Sequence, residues 1–404
     1  MNFKLLALIL LTVTEAYRLF LSILDYKSSK NPIPASVADV YDGETYAKWK
    51  LYQKDKTFVS IFRSLASYAV TLALIAFDVF AAVGSLAENE YLSAILVLAL
   101  DVLAGSVVGT VFGYIDTMRI EEKYGFNKST LGTFVGDVVK ELLIGILLNS
   151  AIVALFITVW NWLGDWVIVV FAGIMFVVVL CIAFLYPVFA KINNKFVPLE
   201  AGELRTKLEG LLEKHGYHVR EIKVMDASRR TTKSNAYFTG FGKLKTIVLY
   251  DTLIAAMTPD EICAVFAHEL GHGLHKDTLK NQIFNIFNML FLAVSLWLVV
   301  RTGAIYPDFG FAGVNYGMAI ILGAEVLMSL VSPLWGLVTN ASSRRAEYRA
   351  DRQAAEEGYT EELISALKKL ARENFSNLSP SKTVVALTYS HPTIAQRIAA
   401  LRGE

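Results

Sequence analysis

Seven long apolar stretches dominate this sequence and limit what the chain can fold into. They comprise residues 3–24, 61–86, 91–114, 142–161, 166–187, 282–301 and 317–339. Crossing about 30 Å of hydrocarbon takes about 20 mostly apolar helical residues, and each stretch is close to that length. The composition agrees, because 54% of the 404 residues are hydrophobic and only 19% are charged. We therefore expect a mainly α-helical membrane protein in which seven helices span the bilayer.

The orientation of these spans follows from the lysines and arginines between them. Residues 25–60 contain six lysines, and residues 115–140 contain three lysines and one arginine, whereas residues 87–90 and 162–165 contain neither lysine nor arginine. Because cytoplasmic loops carry an excess of these residues, we expect the N-terminus outside and the C-terminus in the cytoplasm. A signal peptide is an alternative for the first stretch, since Lys4 precedes an apolar run, but the apolar pattern resumes at Leu19-Phe20-Leu21 and favours a retained helix.

Several spans carry ionisable residues away from their ends, namely Glu15, Arg18, Asp78, Asp101 and Glu325. A charge that faces lipid is costly, so such residues usually face the interior of a helix bundle or a watery cavity. For any one of them a polar contact between helices is the simpler interpretation. Together they favour a bundle that encloses water.

Charge and cysteine content exclude other classes. A net charge of +1 gives no reason to expect a nucleic-acid partner, and the seven spans make the lipid bilayer the expected environment. Cys181 and Cys263 lie in apolar runs, which predicts neither a disulfide framework nor a metal cluster built from several cysteines.

Two long segments lie outside the spans, and the predicted orientation places both in the cytoplasm. The predicted organisation is five spans in 1–187, a cytoplasmic segment 188–281, two spans in 282–339 and a cytoplasmic segment 340–404. The first cytoplasmic segment opens with a predicted helix over 198–215, started by Pro198. Strand-like runs follow at 219–225, 235–241 and 245–250, with a turn predicted at Phe241-Gly242-Lys243.

The most informative helix follows this β element. Thr258 and Glu261 have the spacing of a capping box, with proline at the first helical position, so the register of the helix is well defined. His268 and His272 are four residues apart on one face, and both imidazoles can therefore reach one tetrahedral Zn²⁺. Glu269 beside them is the candidate general base. Two unrelated surface histidines are the alternative, and the well-specified helix start disfavours it.

A catalytic zinc ion needs a third protein ligand and one open position. Metzincins would have a histidine at position 278, but this sequence has Thr278, which excludes the metzincin class of zinc proteases. After the last span, Glu347 and Asp351 lie four residues apart on a predicted helix that Ser342 or Ser343 would cap. We assign Glu347 as the third ligand and Asp351 as the carboxylate that orients a ligand histidine. Ion pairs with nearby arginines are the alternative, but two spans return this helix to the side of the histidine pair.

His275 near the metal motif and two residues of the tail, His391 and Arg397, are further candidates. His275 follows His272 by three residues, and as a ligand it would crowd the open position, so a surface or orienting role is expected. His391 and Arg397 lie in the tail, where six residues of helix would place them on nearly opposite faces. Their joint use therefore depends on tertiary folding.

These residues together resemble the type I CAAX prenyl endopeptidase family, which are integral-membrane zinc proteases of the gluzincin group. The resemblance covers nearly the whole chain and includes residues 121–130, 234–240, 345–351 and 389–392 beside the histidine motif. It implies a ring of seven long helices around a large water-filled chamber, capped by a small α+β metalloprotease domain. That fold class agrees with the predicted spans and with the ionisable residues inside them.

Carried over residue by residue, the resemblance implies that His268, His272 and Glu347 bind zinc and that Glu269 is the catalytic base. It also implies that His391 and Arg397 contact the substrate near the metal. The strand expected to pair with the peptide carries Asn235, Ala236, Tyr237 and Phe238.

The chain departs from the family pattern at two places. Asp277 replaces the histidine that usually follows the second ligand by five residues, and the C-terminus lacks the dilysine signal of eukaryotic members. The chain is also short for a eukaryotic member. We therefore expect the plasma membrane of a bacterium rather than the endoplasmic reticulum, which weakens the inference that the natural substrate is prenylated.

The expected activity is hydrolysis of peptide bonds, near a prenylated C-terminal cysteine as the resemblance implies. Glu269 would take a proton from the attacking water and give it to the leaving amine, while His391 stabilises the oxyanion. One alternative is a protease that removes misfolded membrane proteins and has no prenyl requirement. A more distant alternative is a seven-helix transporter or receptor with a structural zinc ion.

Overall fold

Long helices make up most of the chain. The computed structural model describes residues 2–233, 235–239 and 244–404, so the turn predicted at Phe241-Gly242-Lys243 lies outside the described residues. The helices are α1 (Phe3–Ser28), α2 (Gly43–Ala76), α3 (Val79–Gly84), α4 (Glu90–Tyr114), α5 (Glu122–Tyr124), α6 (Leu131–Leu163), α7 (Val167–Asn193), α8 (Glu203–Lys214), α9 (Asp251–Ala256), α10 (Pro259–Leu274), α11 (Asp277–Arg301), α12 (Tyr316–Ile320), α13 (Met328–Glu356), α14 (Thr360–Glu373), α15 (Lys382–Thr388) and α16 (Ile394–Arg402). The strands are β1 (Phe196–Pro198), β2 (His218–Met225), β3 (Ala236–Thr239) and β4 (Leu244–Tyr250).

Six helical segments among the described residues are long and apolar enough to cross a membrane. The longest, Leu131–Ile182, contains all of α6 and the first part of α7. The short turn Gly164–Trp166 separates these two helices, which therefore make two passes. The predicted spans lie on long helices, as a multi-pass membrane protein requires. α4 packs against α6, α7 packs against α11, and α1 packs against α2.

The second predicted span is not a continuous helix. α2 ends at Ala76, and Asp78 adopts a left-handed conformation with φ of 54° before α3 begins. Lys4 on α1 donates a hydrogen bond of 2.6 Å to the Asp78 carboxylate. The unbroken helix predicted over 61–86 is therefore wrong at this point, because the left-handed backbone at Asp78 interrupts it.

The last span continues without interruption into the cytoplasmic tail. α12, a wide π-helical turn over Ile321–Leu327, and α13 form one helical segment from Tyr316 to Glu356. The cap predicted at Ser342 or Ser343 is wrong, since both serines lie inside α13. Residues 337–356 contain neither glycine nor proline, so nothing in the sequence breaks the helix there. As a result Glu347 lies on the same helix as the last membrane span.

A polar cavity of about 980 Å³ lies between α1, α2, α13 and α15. Four ionisable side chains line it among many serines, threonines and tyrosines: Glu15, Arg18, Arg63 and Glu325. Glu15 accepts a hydrogen bond of 2.6 Å from Ser64. The ionisable residues predicted to face an enclosed space therefore do so at Glu15, Arg18 and Glu325.

The small sheet has the order β1-β2-β4-β3. β2 and β4 are parallel, while β1 pairs with β2 and β3 pairs with β4 in antiparallel fashion. Ala236 of β3 pairs with Leu249 of β4. Among the described strands β3 therefore lies at the edge of the sheet, with one side unpaired.

The helix predicted over 198–215 starts later than expected. Pro198 ends β1, which pairs with β2, and α8 begins only at Glu203. Proline fits this position because an edge strand tolerates the loss of an amide donor. The apolar face of α8 was predicted correctly, since Leu208, Leu211 and Leu212 are buried in a core shared with β4 and α10.

Candidate metal centre

The helix that carries the histidine pair starts where the sequence predicts. Thr258 caps α10: its hydroxyl accepts from the Glu261 amide at 3.3 Å, and the Glu261 carboxylate accepts from the Thr258 amide at 2.8 Å. Ile262, Phe266 and Leu270 are buried against the sheet and α8. This packing fixes the rotation of α10, so the opposite face presents the histidines to α13.

Glu261 also ties α10 to α14. Its carboxylate accepts hydrogen bonds of 2.6 Å from both Lys369 and Ser365. Burial would raise the pKa of Glu261, but these hydrogen bonds and the Lys369 charge lower it below the usual value. The carboxylate therefore stays ionised and holds the two helices together.

Three side chains converge from two helices. The ligand atoms of His268, His272 and Glu347 all lie within 4.8 Å of one another. His268 Nε2 is 3.5 Å from Glu347 Oε2, and His272 Nε2 is 3.3 Å from Glu347 Oε1. The two imidazoles stand nearly perpendicular, with ring centroids 4.9 Å apart. Each donor atom thus faces a common point between α10 and α13.

The other ring nitrogen of each histidine faces a carboxylate. His268 Nδ1 lies 2.9 Å from Asp351 Oδ1, and His272 Nδ1 lies 3.2 Å from Asp277 Oδ2. A carboxylate in this position fixes the ring orientation and the tautomer, which leaves Nε2 free to bind a metal. Arg349 in turn donates a 2.7 Å hydrogen bond to Asp277.

The environment of Glu347 tests whether a metal fits. Its Oε2 atom is buried, and within the described part of the chain it accepts no hydrogen bond. Its ion-pair neighbours are His268 Nε2 at 3.5 Å and Arg397 Nη1 at 3.4 Å. A buried carboxylate oxygen that accepts no hydrogen bond is costly, and a metal ion held with the two imidazoles would complete its environment. Two imidazole nitrogens and one carboxylate are also the donor types of catalytic zinc sites. The residues present therefore fit a bound divalent cation.

His391 and Arg397 approach the same carboxylate. His391 Nε2 is 3.3 Å from Glu347 Oε1, and Arg397 Nη1 is 3.4 Å from Glu347 Oε2. His391 precedes α16 instead of lying on it, so the two side chains are not constrained to opposite helix faces. Arg397 is buried and donates hydrogen bonds of 2.9 and 2.5 Å to Asp351. His391 is exposed, with 64% of its side chain accessible, so it can meet an incoming peptide.

Glu269 lies on α10 beside the sheet. It lines a small apolar pocket with residues of α10, β3 and β4, namely Ala236, Ile247, Leu249, Ile262, Val265 and Phe266. The Glu269 side chain therefore shares this pocket with Ala236, the first residue of the edge strand β3.

The other predicted residues are placed less directly. Asn235 is exposed just before β3, and its carbonyl accepts from the Tyr250 amide at 3.1 Å. Tyr237 and Phe238 lie on β3 opposite Val248 and Ile247, while their side chains are outside the described part. His275 is exposed at the end of α10.

Asp277 is the residue that sequence reasoning left without a role. Lys276 adopts a left-handed conformation with φ of 56°, which turns the chain from α10 into α11 and brings Asp277 back to His272. A signal was present in the sequence, since an aspartate opens an apolar span five residues after the second histidine. The turn that makes the contact could not be read from that spacing.

Comparison with known families gives two matches that together cover most of the chain. Residues 22–191 match a family described as "CAAX prenyl protease N-terminal, five membrane helices". Residues 198–404 match the family described as Peptidase family M48.

Individual relatives agree with these matches. The CAAX prenyl protease 1 homolog of Oryza sativa is 32% identical over 98% of this chain and 95% of its own length. CAAX prenyl protease 1 of Saccharomyces cerevisiae is 32% identical over 93% of this chain and 89% of its own. The crystal structure of S. mikatae Ste24p superposes with a TM-score of 0.92 and 28% identity over 99% of both chains. These relatives are eukaryotic and give no support to the predicted bacterial plasma membrane.

Proposed function

Because this chain belongs to peptidase family M48 and is an integral-membrane metalloendopeptidase, we propose that it cleaves peptides near a prenylated C-terminal cysteine and uses Zn²⁺. The family implies a divalent metal ion. The relatives are named CAAX prenyl proteases, which disfavours a quality-control protease without a prenyl requirement. A transporter or receptor with a structural metal is also disfavoured.

The observation that carries the proposal is the convergence of His268, His272 and Glu347 within 4.8 Å. We assign these three as the metal ligands, with Asp351 orienting His268. Three protein ligands leave a fourth position open, as a catalytic site needs and a structural site does not. When bound, zinc supplies Lewis-acid chemistry that polarises the scissile carbonyl and makes water more acidic.

The side chains around the metal position have the remaining catalytic and substrate-binding roles. Glu269 accepts the proton of the attacking water and returns it to the leaving amine, which requires it to be ionised at the start. His391, 3.3 Å from Glu347 and exposed, donates a hydrogen bond to the developing oxyanion. Arg397 contacts the Glu347 and Asp351 carboxylates and adds positive charge beside them, and it is assigned to the substrate side of the site.

The substrate is held in an extended conformation by β3. Its unpaired edge offers main-chain donors and acceptors to a peptide added as a further strand, along residues Asn235 to Phe238. Main-chain hydrogen bonds do not distinguish between side chains of the peptide, so specificity comes from neighbouring pockets. Walls of the polar cavity and the lipid-facing helices would accommodate the residue that carries a prenyl group.

The lysine and arginine distribution supports a metal centre on the cytoplasmic side, with the N-terminus outside. A prenylated cytoplasmic protein would then reach the site without crossing the bilayer. Accessibility labelling of single cysteines introduced in residues 25–60 and 87–90 tests this orientation. If cysteines in residues 25–60 were labelled from the outside of intact cells, the orientation would be the opposite of the proposed one.

The substrate proposal is tested with purified full-length protein and a matched pair of peptides. One peptide carries a farnesylated cysteine four residues from its C-terminus, and the other has the same sequence without the lipid. We expect faster cleavage of the farnesylated peptide, loss of activity with a chelator and about one zinc per chain by elemental analysis. Equal rates for both peptides would reject the prenyl requirement. A Glu269→Gln preparation controls for contaminating proteases.

A further inference from the structure

The segment 121–130, which contributes to the family resemblance, has no place in the metal centre. It follows a π-helical turn over Ile115–Glu121 and includes the short helix α5 and a left-handed Gly125 with φ of 86°. The structure shows what this segment contacts. It lies against residues 230–233, which lead directly into the edge strand β3.

The main chains of the two segments are paired. Asn127 and Thr231 form an antiparallel bridge. On either side of it the Lys128 amide donates to the Arg230 carbonyl at 3.0 Å, and the Thr232 amide donates to the Phe126 carbonyl at 3.3 Å. The approach to β3 is therefore held by backbone of the membrane-spanning half of the chain.

A cluster of polar side chains strengthens this pairing. Glu121 Oε1 accepts hydrogen bonds from the Tyr52 hydroxyl at 2.7 Å, from Lys56 at 2.9 Å and from Lys233 at 3.3 Å. The Glu121 side chain is only 13% exposed. Lys233 also lies 3.2 Å from the Tyr52 hydroxyl and 5.1 Å from the centre of the Phe126 ring. One carboxylate thus joins α2 to Lys233, three residues before β3 begins.

The backbone of Lys233 is fixed as well. Its carbonyl accepts a hydrogen bond of 3.0 Å from the Thr252 hydroxyl on α9. Side chain and main chain of this residue are therefore held from opposite sides, by α2 and the π-helical turn on one side and by α9 on the other.

We propose that Glu121 is a positioning residue for peptide binding, which acts through Lys233 to fix the start of β3. The proposal rests on the role of β3 in the proposed function. A peptide that pairs with an edge strand depends on the position of that strand, whereas the metal ligands and Glu269 lie on α10 and α13 and do not touch this cluster. Loss of the Glu121–Lys233 contact should therefore weaken peptide binding more than it slows the chemical step.

The test compares four variants of the full-length protein on the peptide that the wild type cleaves best. Glu121→Gln removes the negative charge of the contact and Lys233→Met removes its donor. The double variant tests their coupling, and Lys233→Arg keeps the positive charge. Lys123→Met is the matched control, because Lys123 lies on the same segment but forms an exposed 2.7 Å pair with Asp55.

We expect both single variants to raise KM roughly five- to tenfold while kcat changes less than about twofold and metal content stays at the wild-type level. The double variant should be no worse than either single one, Lys233→Arg should recover most of the loss, and Lys123→Met should behave as wild type. An unchanged KM in both single variants, or a parallel fall in metal content and kcat, would overturn the proposal. If the wild type cleaves no peptide, the proposed function fails and this inference with it. Normal wild-type cleavage with unaltered variants overturns the inference alone.

Discussion

Gly271 on α10 packs directly against Ala350 on α13. A Cβ atom at position 271 would lie 2.9 Å from the Ala350 Cα, which is closer than such atoms approach, and 3.0 Å from the Gln353 Cβ. Gly271 precedes His272, and Ala350 lies three residues after Glu347. The contact therefore sets the distance between the two helices that supply the candidate ligands.

Replacing Gly271 by alanine should separate these helices. The added methyl group meets backbone and not a flexible side-chain end, so α13 has to move and Glu347 moves with it. We expect weaker metal retention and a loss of stability of about 1–3 kcal/mol. Metal content after dialysis against a chelator and the Tm of the purified protein measure the two effects.

Gly210→Ala is the matched control for this substitution. Gly210 lies on the exposed side of α8, and a Cβ atom there has no neighbour within 4 Å. Alanine favours a helix over glycine, so Tm should stay the same or rise slightly. If both variants behaved alike, the close packing of α10 on α13 would have no bearing on the metal site.

Glu269→Gln separates proton transfer from metal binding. Glutamine keeps the size of the side chain but cannot accept a proton, and Glu269 is not among the three converging ligands. We expect kcat to fall by roughly 10²–10⁴ with the zinc content unchanged. Peptide turnover and elemental analysis on the same preparation provide both numbers. Substantial turnover in a metal-replete sample would contradict the assignment as general base.

Glu347→Ala tests the third ligand. Removing its carboxylate leaves only the two imidazoles, so we expect zinc occupancy to fall well below one per chain at micromolar free zinc. Glu356→Ala is the control, since Glu356 lies on the same helix and is exposed. Full occupancy in the Glu347 variant would show that the metal is held elsewhere.

The features that the sequence predicts well are those set by counting along one element. Span length identifies the membrane helices, and the Thr258 cap fixes the register that turns His268 and His272 to one side. Two predicted spans separate Glu347 from the histidines, so Glu347 returns to the side of the bilayer on which they lie. The convergence of Glu347 with the histidines depends on these three properties, each of which is local to one part of the chain.

The features that could not be predicted depend on turns and on contacts between distant elements. The left-handed backbone at Asp78 and Lys276 is not encoded by any glycine, so neither the break in the second span nor the return of Asp277 to His272 was visible. His391 and Arg397 meet at Glu347 only because α16 packs onto α13. The continuity of α13 was missed because serines inside a helix look like caps.

Asp277→Asn addresses the residue that the structure adds to the site. Asparagine keeps the shape but loses the negative charge that holds the His272 ring, so we expect metal affinity to fall roughly 10–100-fold. Asp351→Asn, on the other histidine, should give a loss of the same order. Competition with a chromogenic chelator measures both. Wild-type affinity in the Asp277 variant, with the expected loss at Asp351, would limit Asp277 to a structural role.

The Glu261 clamp between α10 and α14 makes a prediction about pH. The folded-state pKa of Glu261 lies below its unfolded value of about 4.3, because Lys369 and Ser365 stabilise the ionised form against the effect of burial. A lowered pKa contributes stability that is fully present above the unfolded value and is lost as the pH falls through the folded one. The contribution is therefore complete at neutral pH and disappears in acid.

Glu261→Gln removes this charge but keeps a side chain that can complete the capping box. We expect the variant to have a Tm a few degrees below wild type at pH 7, with the difference shrinking as the pH is lowered past about 4. Glu373→Gln, an exposed position on α14, should show little difference at either pH. If the difference in Tm between Glu261→Gln and wild type persisted or widened in acid, the carboxylate would contribute through its shape and not through its charge.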